Sequence, residues 1–159
     1  MSARTLSPRA ATVTVAAVAA VGLVAIVAGM FLPWFRSGAV LRDSFELIGV
    51  IQTLGFLRGQ ALELLLYAWF GIIPGVTLSI AAYALGFRRT AATLCLFFSI
   101  ITGTISGGAT VESDGDSPLG VASAGPTVTL IGSALAVLGA VGIFVSRRRS
   151  ARKNAGGEP

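Results

Sequence analysis

The residues able to do chemistry are few. Asp43, Glu46 and Glu63 are the carboxylates lying between the first two long apolar stretches. General acid–base catalysis needs two titratable groups within hydrogen-bond reach of one substrate, and nothing in the spacing of these three positions such a pair. Glu112, Asp114 and Asp116 alternate with Ser113 and Gly115, a pattern that can attract a hard cation such as calcium. The run is too short for an EF-hand loop and lacks its terminal glutamate, so it reads as a solvated acidic loop. Cys95 is the single cysteine, and histidine is absent. A disulfide or thiol relay needs a second thiol, and histidine is the commonest metal ligand and neutral-pH base. The sequence therefore offers no catalytic set, no metal site and no cofactor site. Cys95 reads as a small apolar residue.

The bulk composition names the setting. Of 159 residues, 54% are hydrophobic and 12% charged, with a mean hydropathy of +0.83. A soluble domain carries about 25% charged residues, so this chain lacks the polar groups to coat a water-soluble surface. Disorder needs the opposite balance. A membrane protein of a few spans is what fits.

A spanning helix needs about 20 apolar residues. Uncharged intervals run over 10–35, 64–87, 90–111 and 117–146, and no other interval is as long. They place spans at about 11–33, 63–86, 90–108 and 126–146 within a single membrane domain, 1–146. The first apolar stretch, 11–32, exceeds the roughly 7–15 residues of a signal-peptide core, so it reads as an uncleaved anchor. The fold class expected is an all-α integral membrane four-helix bundle.

Lys and Arg collect on the cytoplasmic side of short loops. The two termini and the second loop hold nine of the twelve basic residues and one acid, Glu158. The first and third loops hold Arg36, Arg42 and Arg58 with six acids. Both termini are therefore expected in the cytoplasm of a plasma-membrane protein. The segment 147–159, with Arg147–Arg149, Arg152 and Lys153, reads as a basic, disordered tail beside anionic headgroups, where each charge is worth about 1 kcal/mol. This placement removes the need for a nucleic-acid partner.

Helices in lipid associate through close backbone approach and weak polar contacts. Gly22, Ala25 and Gly29 mark one small-residue face on the first span. Gly132, Ala136 and Ala140, with Thr129, mark one on the fourth. Ser99, Thr102, Thr104 and Ser106 offer hydroxyls on the third, most of them expected to bond their own helix. Pro74 is the candidate kink of the second span. Trp34, Tyr67 and Trp69 read as an aromatic belt at the outer interface. No ionisable group falls at mid-membrane, which leaves a proton-coupled pump without a relay. Small multidrug transporters carry a carboxylate in their first span, and quinone-linked disulfide enzymes carry a Cys-x-x-Cys. Neither feature is present.

The first outer loop, 33–62, is the longest non-spanning segment. Asp43 as N-cap with Glu46 three residues on makes a capping box. Leu47, Val50, Ile51 and Leu54 follow at helical spacing, opposite Gly49, Gln52 and Thr53. An amphipathic helix is expected over about 44–57, too short to span, lying at the interface or folded over the bundle mouth. Trp34, Arg36, Arg42, Asp43 and Glu46 are the residues expected to matter, for loop folding or interaction. Pro33-Trp34-x-Arg36-Ser37-Gly38, followed by Arg42-Asp43-Ser44-Phe45-Glu46-Leu47, resembles a group of small four-helix membrane proteins of actinobacteria. Arginine-rich, lysine-poor usage fits that lineage. The resemblance implies origin and topology, and carries no activity.

Three functions are weighed. A non-enzymatic accessory or scaffold protein of the cell envelope ranks first, with the bilayer and a larger membrane or envelope protein as partners. A small channel or transporter, working as a homo-oligomer, ranks second. An envelope enzyme using Asp43, Glu46 or Glu63 ranks last. The charge sorting predicts that alkaline phosphatase is inactive when fused after Pro159 and active when inserted after Arg58. The reverse pattern would overturn the orientation.

Overall fold

The structure, a computed structural model, describes residues 8–37, 40–54, 67–113 and 120–155. The expectations for Glu63, Arg58, Asp114 and Asp116 lie outside these residues. In chain order the elements are α1 (Pro8–Phe31), β1 (Phe35–Ser37), β2 (Val40–Arg42), α2 (Ser44–Leu54), α3 (Ile72–Ala84), α4 (Arg88–Ser113), β3 (Gly120–Val121) and α5 (Ala124–Ala155). A helical turn at 67–70 precedes α3. Four helical segments are long and apolar enough to cross a membrane: Thr12–Phe31, Tyr67–Ala84, Arg88–Val111 and Ala124–Ser146.

The helix ends follow local chemistry. Pro8 opens α1 at the first helical position, where a missing N–H costs nothing. The α3–α4 hairpin turns on Gly86, whose φ of 88° only glycine adopts without strain. Gly86 N–H donates to Tyr83 O at 3.0 Å and Phe87 N–H to Ala82 O at 2.8 Å, closing a Schellman motif. The second span breaks at Gly71, three residues before Pro74. A proline ring excludes the carbonyl four residues back, here that of Phe70. Pro74 consequently sits in the first turn of α3, where its missing donor leaves no gap.

Two expectations about helix ends are corrected. α4 does not stop near residue 108 but continues through Gly107 and Gly108 to Ser113, with its apolar spanning segment ending at Val111. Glycine is well tolerated in membrane helices. Nor is 147–159 disordered from its start, since α5 continues unbroken to Ala155. Alanine, arginine and lysine are good helix formers, and basic residues near a C-terminus are favoured by the helix dipole.

The bundle is ordered α3–α4–α5–α1. Its tightest contact is the antiparallel pair of α1 and α5, and here the two predicted small-residue faces meet. A Cβ added to Gly22 would strike the Ala136 backbone and lie 2.7 Å from Gly132 O, while one on Gly132 would lie 2.8 Å from Ile26 N and 2.9 Å from the Ala25 Cβ. Gly29 abuts Thr129, Gly139 abuts Ala19 and Gly142 abuts Val15. These pairs keep a constant antiparallel register along both helices. Ala136 and Ala140 are wholly buried.

α4 joins α5 through a hydroxyl seam. Thr102 Oγ1 and Ser133 Oγ share a hydrogen bond of 2.9 Å, and Cys95 Sγ–H donates to Ala136 O at 3.6 Å. Ser99, Thr102, Thr104 and Ser106 all donate to the carbonyl four residues back, so each polar group is satisfied within its own helix. α3 packs on α4 where the Phe98 ring lies on Gly75. No more than 39% of any spanning window is buried. The outward faces are apolar, with Val24, Leu78, Ile100 and Leu138 exposed, as immersion in lipid requires.

Gly22→Leu is expected to destabilise the bundle by about 3 kcal/mol, because its neighbours are backbone atoms that cannot yield. Gly49→Ala, which meets nothing within 4 Å, should instead add roughly 0.5–1 kcal/mol. Unfolding titrations in mixed micelles measure both.

Candidate functional site

The end of the bundle remote from both termini, called distal here, holds the predicted loop residues. An α-helix leaves its last carbonyls and first N–H groups without partners. At the distal end the C-terminus of α1 and the N-terminus of α5 lie side by side, so both sets need partners in one small volume.

The loop after α1 supplies them. The Trp34 indole Nε1–H donates to Gly29 O at 2.9 Å, and Ser44 Oγ–H donates to Met30 O at 2.8 Å. Both acceptors lie in the last turn of α1, and Gly29 O also accepts from Leu32 N–H at 3.2 Å. On α5, Gly125 N–H donates to Pro33 O at 3.0 Å, and just before that helix Ala122 N–H donates to Trp34 O at 3.0 Å. Trp34 N–H donates in turn to Arg42 O at 2.8 Å. Gly125 is fixed by this packing, since a Cβ there would collide with the Trp34 ring.

Trp34 meets Trp69 edge-to-face, with ring centroids 5.4 Å apart and planes at 84°. Each is only 5% exposed. Trp69 Nε1–H donates to Ser44 Oγ at 3.2 Å, which completes a chain from Trp69 through Ser44 to α1. The expectation of an aromatic belt is therefore corrected for the two tryptophans. Their indole N–H groups are used inside the protein rather than at a lipid interface. Tyr67 is exposed.

A three-stranded sheet in the order β2-β1-β3 flanks this centre. β1 pairs antiparallel with β2, Phe35 opposite Arg42 and Arg36 opposite Leu41. It pairs antiparallel with β3, Phe35 opposite Val121 and Arg36 opposite Gly120. The first and third loops are thus joined by backbone. This small sheet qualifies the all-α expectation. Its strands of two and three residues are too short to leave a periodic signal.

Asp43 caps α2 as predicted from the spacing. Its Oδ1 accepts from Phe45 N–H and Glu46 N–H, each at 2.9 Å. The buried face of α2 differs from the expected stripe. Ser44 and Ile48 are buried, Val50 is exposed and Gln52 is half-buried. The bonds of Ser44 to α1 and Trp69 fix the rotation of the helix and turn it away from the Leu47–Val50 face. The side chains of Ile51 and Leu54 lie outside the described residues. Phe45 stacks between Phe31 at 5.3 Å and Phe70 at 5.5 Å.

Of the five residues singled out, Trp34, Arg42 and Asp43 come together in this centre, Arg42 through its backbone. Arg36 sits in the middle strand with an exposed side chain, and Glu46 is exposed on the first turn of α2. Ser44 and Trp69 were missed. Their signal was weak: a serine directly behind the cap residue, and the chain's second tryptophan near the same end of the bundle. Among the described residues no group of three His, Cys, Asp or Glu gathers.

The fold defines a helical bundle of the membrane-spanning class with a built distal end. No protein family, curated protein or solved structure matches the chain.

Ser44→Ala orphans Met30 O and the Trp69 indole together, and should cost about 1–3 kcal/mol. A double-mutant cycle of Ser44→Ala with Trp69→Phe should give a coupling of about 1 kcal/mol. Additive losses would contradict the link.

Proposed function

We propose that the protein is a non-enzymatic accessory or scaffold of the cell envelope, sitting in the plasma membrane with both termini in the cytoplasm and its distal end outside. The charge sorting along the sequence supports this orientation. The actinobacterial origin suggested by the loop resemblance belongs to the same reading.

One observation carries the scaffold role. The distal end is a hydrogen-bonded head that nonetheless leaves apolar side chains on its surface. β2 is an edge strand of the sheet, and its Val40 and Leu41 are 55% and 51% exposed. Edge strands with exposed apolar residues are templates for pairing, which free-standing proteins tend to blunt. Arg36 stands exposed on the neighbouring strand. A larger membrane or envelope protein that adds backbone along β2 and covers Val40 and Leu41 fits this surface.

The filled interior favours this reading over a channel through one chain. Ile26, Met30, Ile72 and Thr102 are essentially without exposure.

A photo-crosslinking amino acid at Leu41 should yield one discrete heterologous adduct in native membranes. The same probe at Leu138, exposed on the spanning surface of α5, should not yield it. Identical patterns from both positions, or no adduct from Leu41, would overturn the role.

A further inference from the structure

The other end of the bundle carries a cleft unrelated to the distal head. It lies between α1 and α3, which close the ring of helices only loosely. Its volume is about 70 Å³, and Ala16, Ala20 and Leu23 of α1, Ile80 and Tyr83 of α3, and Ala91 of α4 line it. The opening follows from the sequence. Alanines on α1 and α4 face α3 with too little side chain to fill the space. Ala20 and Ile80 are exposed at its lip, so it opens on the spanning surface. The lining is almost wholly apolar, and its titratable groups are the thiol of Cys95 and the phenol of Tyr83. For scale, a cavity of about 150 Å³ takes up benzene. The cleft accommodates a few methylenes of a chain that continues outward into the bilayer.

The rim is charged. Arg88 and Arg89 open α4 at this end, both exposed. The Arg88 guanidinium lies 5.8 Å from the centroid of the Tyr83 ring, and Tyr83 lines the cleft. The described acids, Asp43 just before α2, Glu46 in its first turn and Glu112 near the C-terminus of α4, all lie at the distal end. The rim therefore presents guanidinium donors with no described carboxylate near them. The basic run Arg147–Lys153 continues α5 at the same end. Guanidinium groups bind phosphate through paired donors, and basic pockets between membrane helices select anionic headgroups.

We propose that this cleft binds one anionic diacyl phospholipid, with an acyl chain between α1 and α3 and its phosphate on Arg88 and Arg89. Apolar shape alone would accept any acyl chain. The rim charge, with no described carboxylate beside it, makes the site select phosphatidylglycerol over phosphatidylcholine.

Native mass spectrometry of the full chain in mild detergent, titrated with each lipid, tests this. One phosphatidylglycerol should bind per chain about tenfold or more tightly than phosphatidylcholine, the preference expected from two basic groups at the headgroup. Arg88→Gln with Arg89→Gln should bring the two lipids to equal affinity. Ala20→Phe, which fills the cleft, should weaken both. Near-ultraviolet circular dichroism of the buried tryptophans reports whether each variant is folded. If Ala20→Phe does not fold, Ile80→Phe, at a position already 43% exposed, replaces it. Equal binding by the wild type, a preference that survives loss of both arginines, undiminished binding with the cleft filled, or a second protein copy displacing lipid would each overturn the proposal.

Discussion

Two helix ends lying side by side in an apolar setting must find partners for their free backbone groups, and the distal half of this protein is organised around that need. An unsatisfied polar group costs several kcal/mol where water cannot reach it. Because α1 and α5 pack closely enough for glycine to meet backbone, the C-terminal carbonyls of one and the N-terminal amides of the other fall within reach of a single loop. Pro33, Trp34 and Ser44 meet them. The sheet, the rotation of α2 and the burial of Trp69 all follow from those bonds.

Much of the bundle is legible in the sequence. Four spans follow from the lengths of uncharged intervals, because the bilayer imposes a thickness that only long apolar runs satisfy. The faces around Gly22, Gly29, Gly132 and Ala136 follow from small-residue spacing, since little else draws helices together in lipid. Asp43 is readable as a cap because capping is local. The distal centre is not readable in this way. Trp34 and Ser44 reach carbonyls five and fourteen residues back, and Trp69 reaches Ser44 across 25 residues. No local pattern encodes such bonds. The stripe expected on α2 shows the same limit: periodicity proposes a face, and one tertiary bond at Ser44 selects another.

The two ends of the bundle differ in kind. The distal end is closed by tryptophan rings and backbone bonds, although Gln52 Nε2 of α2 is buried there without a hydrogen-bond partner. The end bearing Pro8 and Ala155 is loosely packed between α1 and α3, and its Arg88 and Arg89 have no described carboxylate beside them. Buried hydroxyls along α4 and α5 hold the middle without bringing a charge into the membrane.

Exchange of the two indole N–H protons tests the capping of the helix ends most directly. The chain has only two tryptophans, so two indole resonances report the whole centre and Trp34→Phe assigns them. In bilayers transferred to heavy water, both signals should persist as long as the backbone amides of the spans. Indole protons that exchange as fast as those of an exposed tryptophan would show that Gly29 O and Ser44 Oγ are not their acceptors, and that the distal end is open.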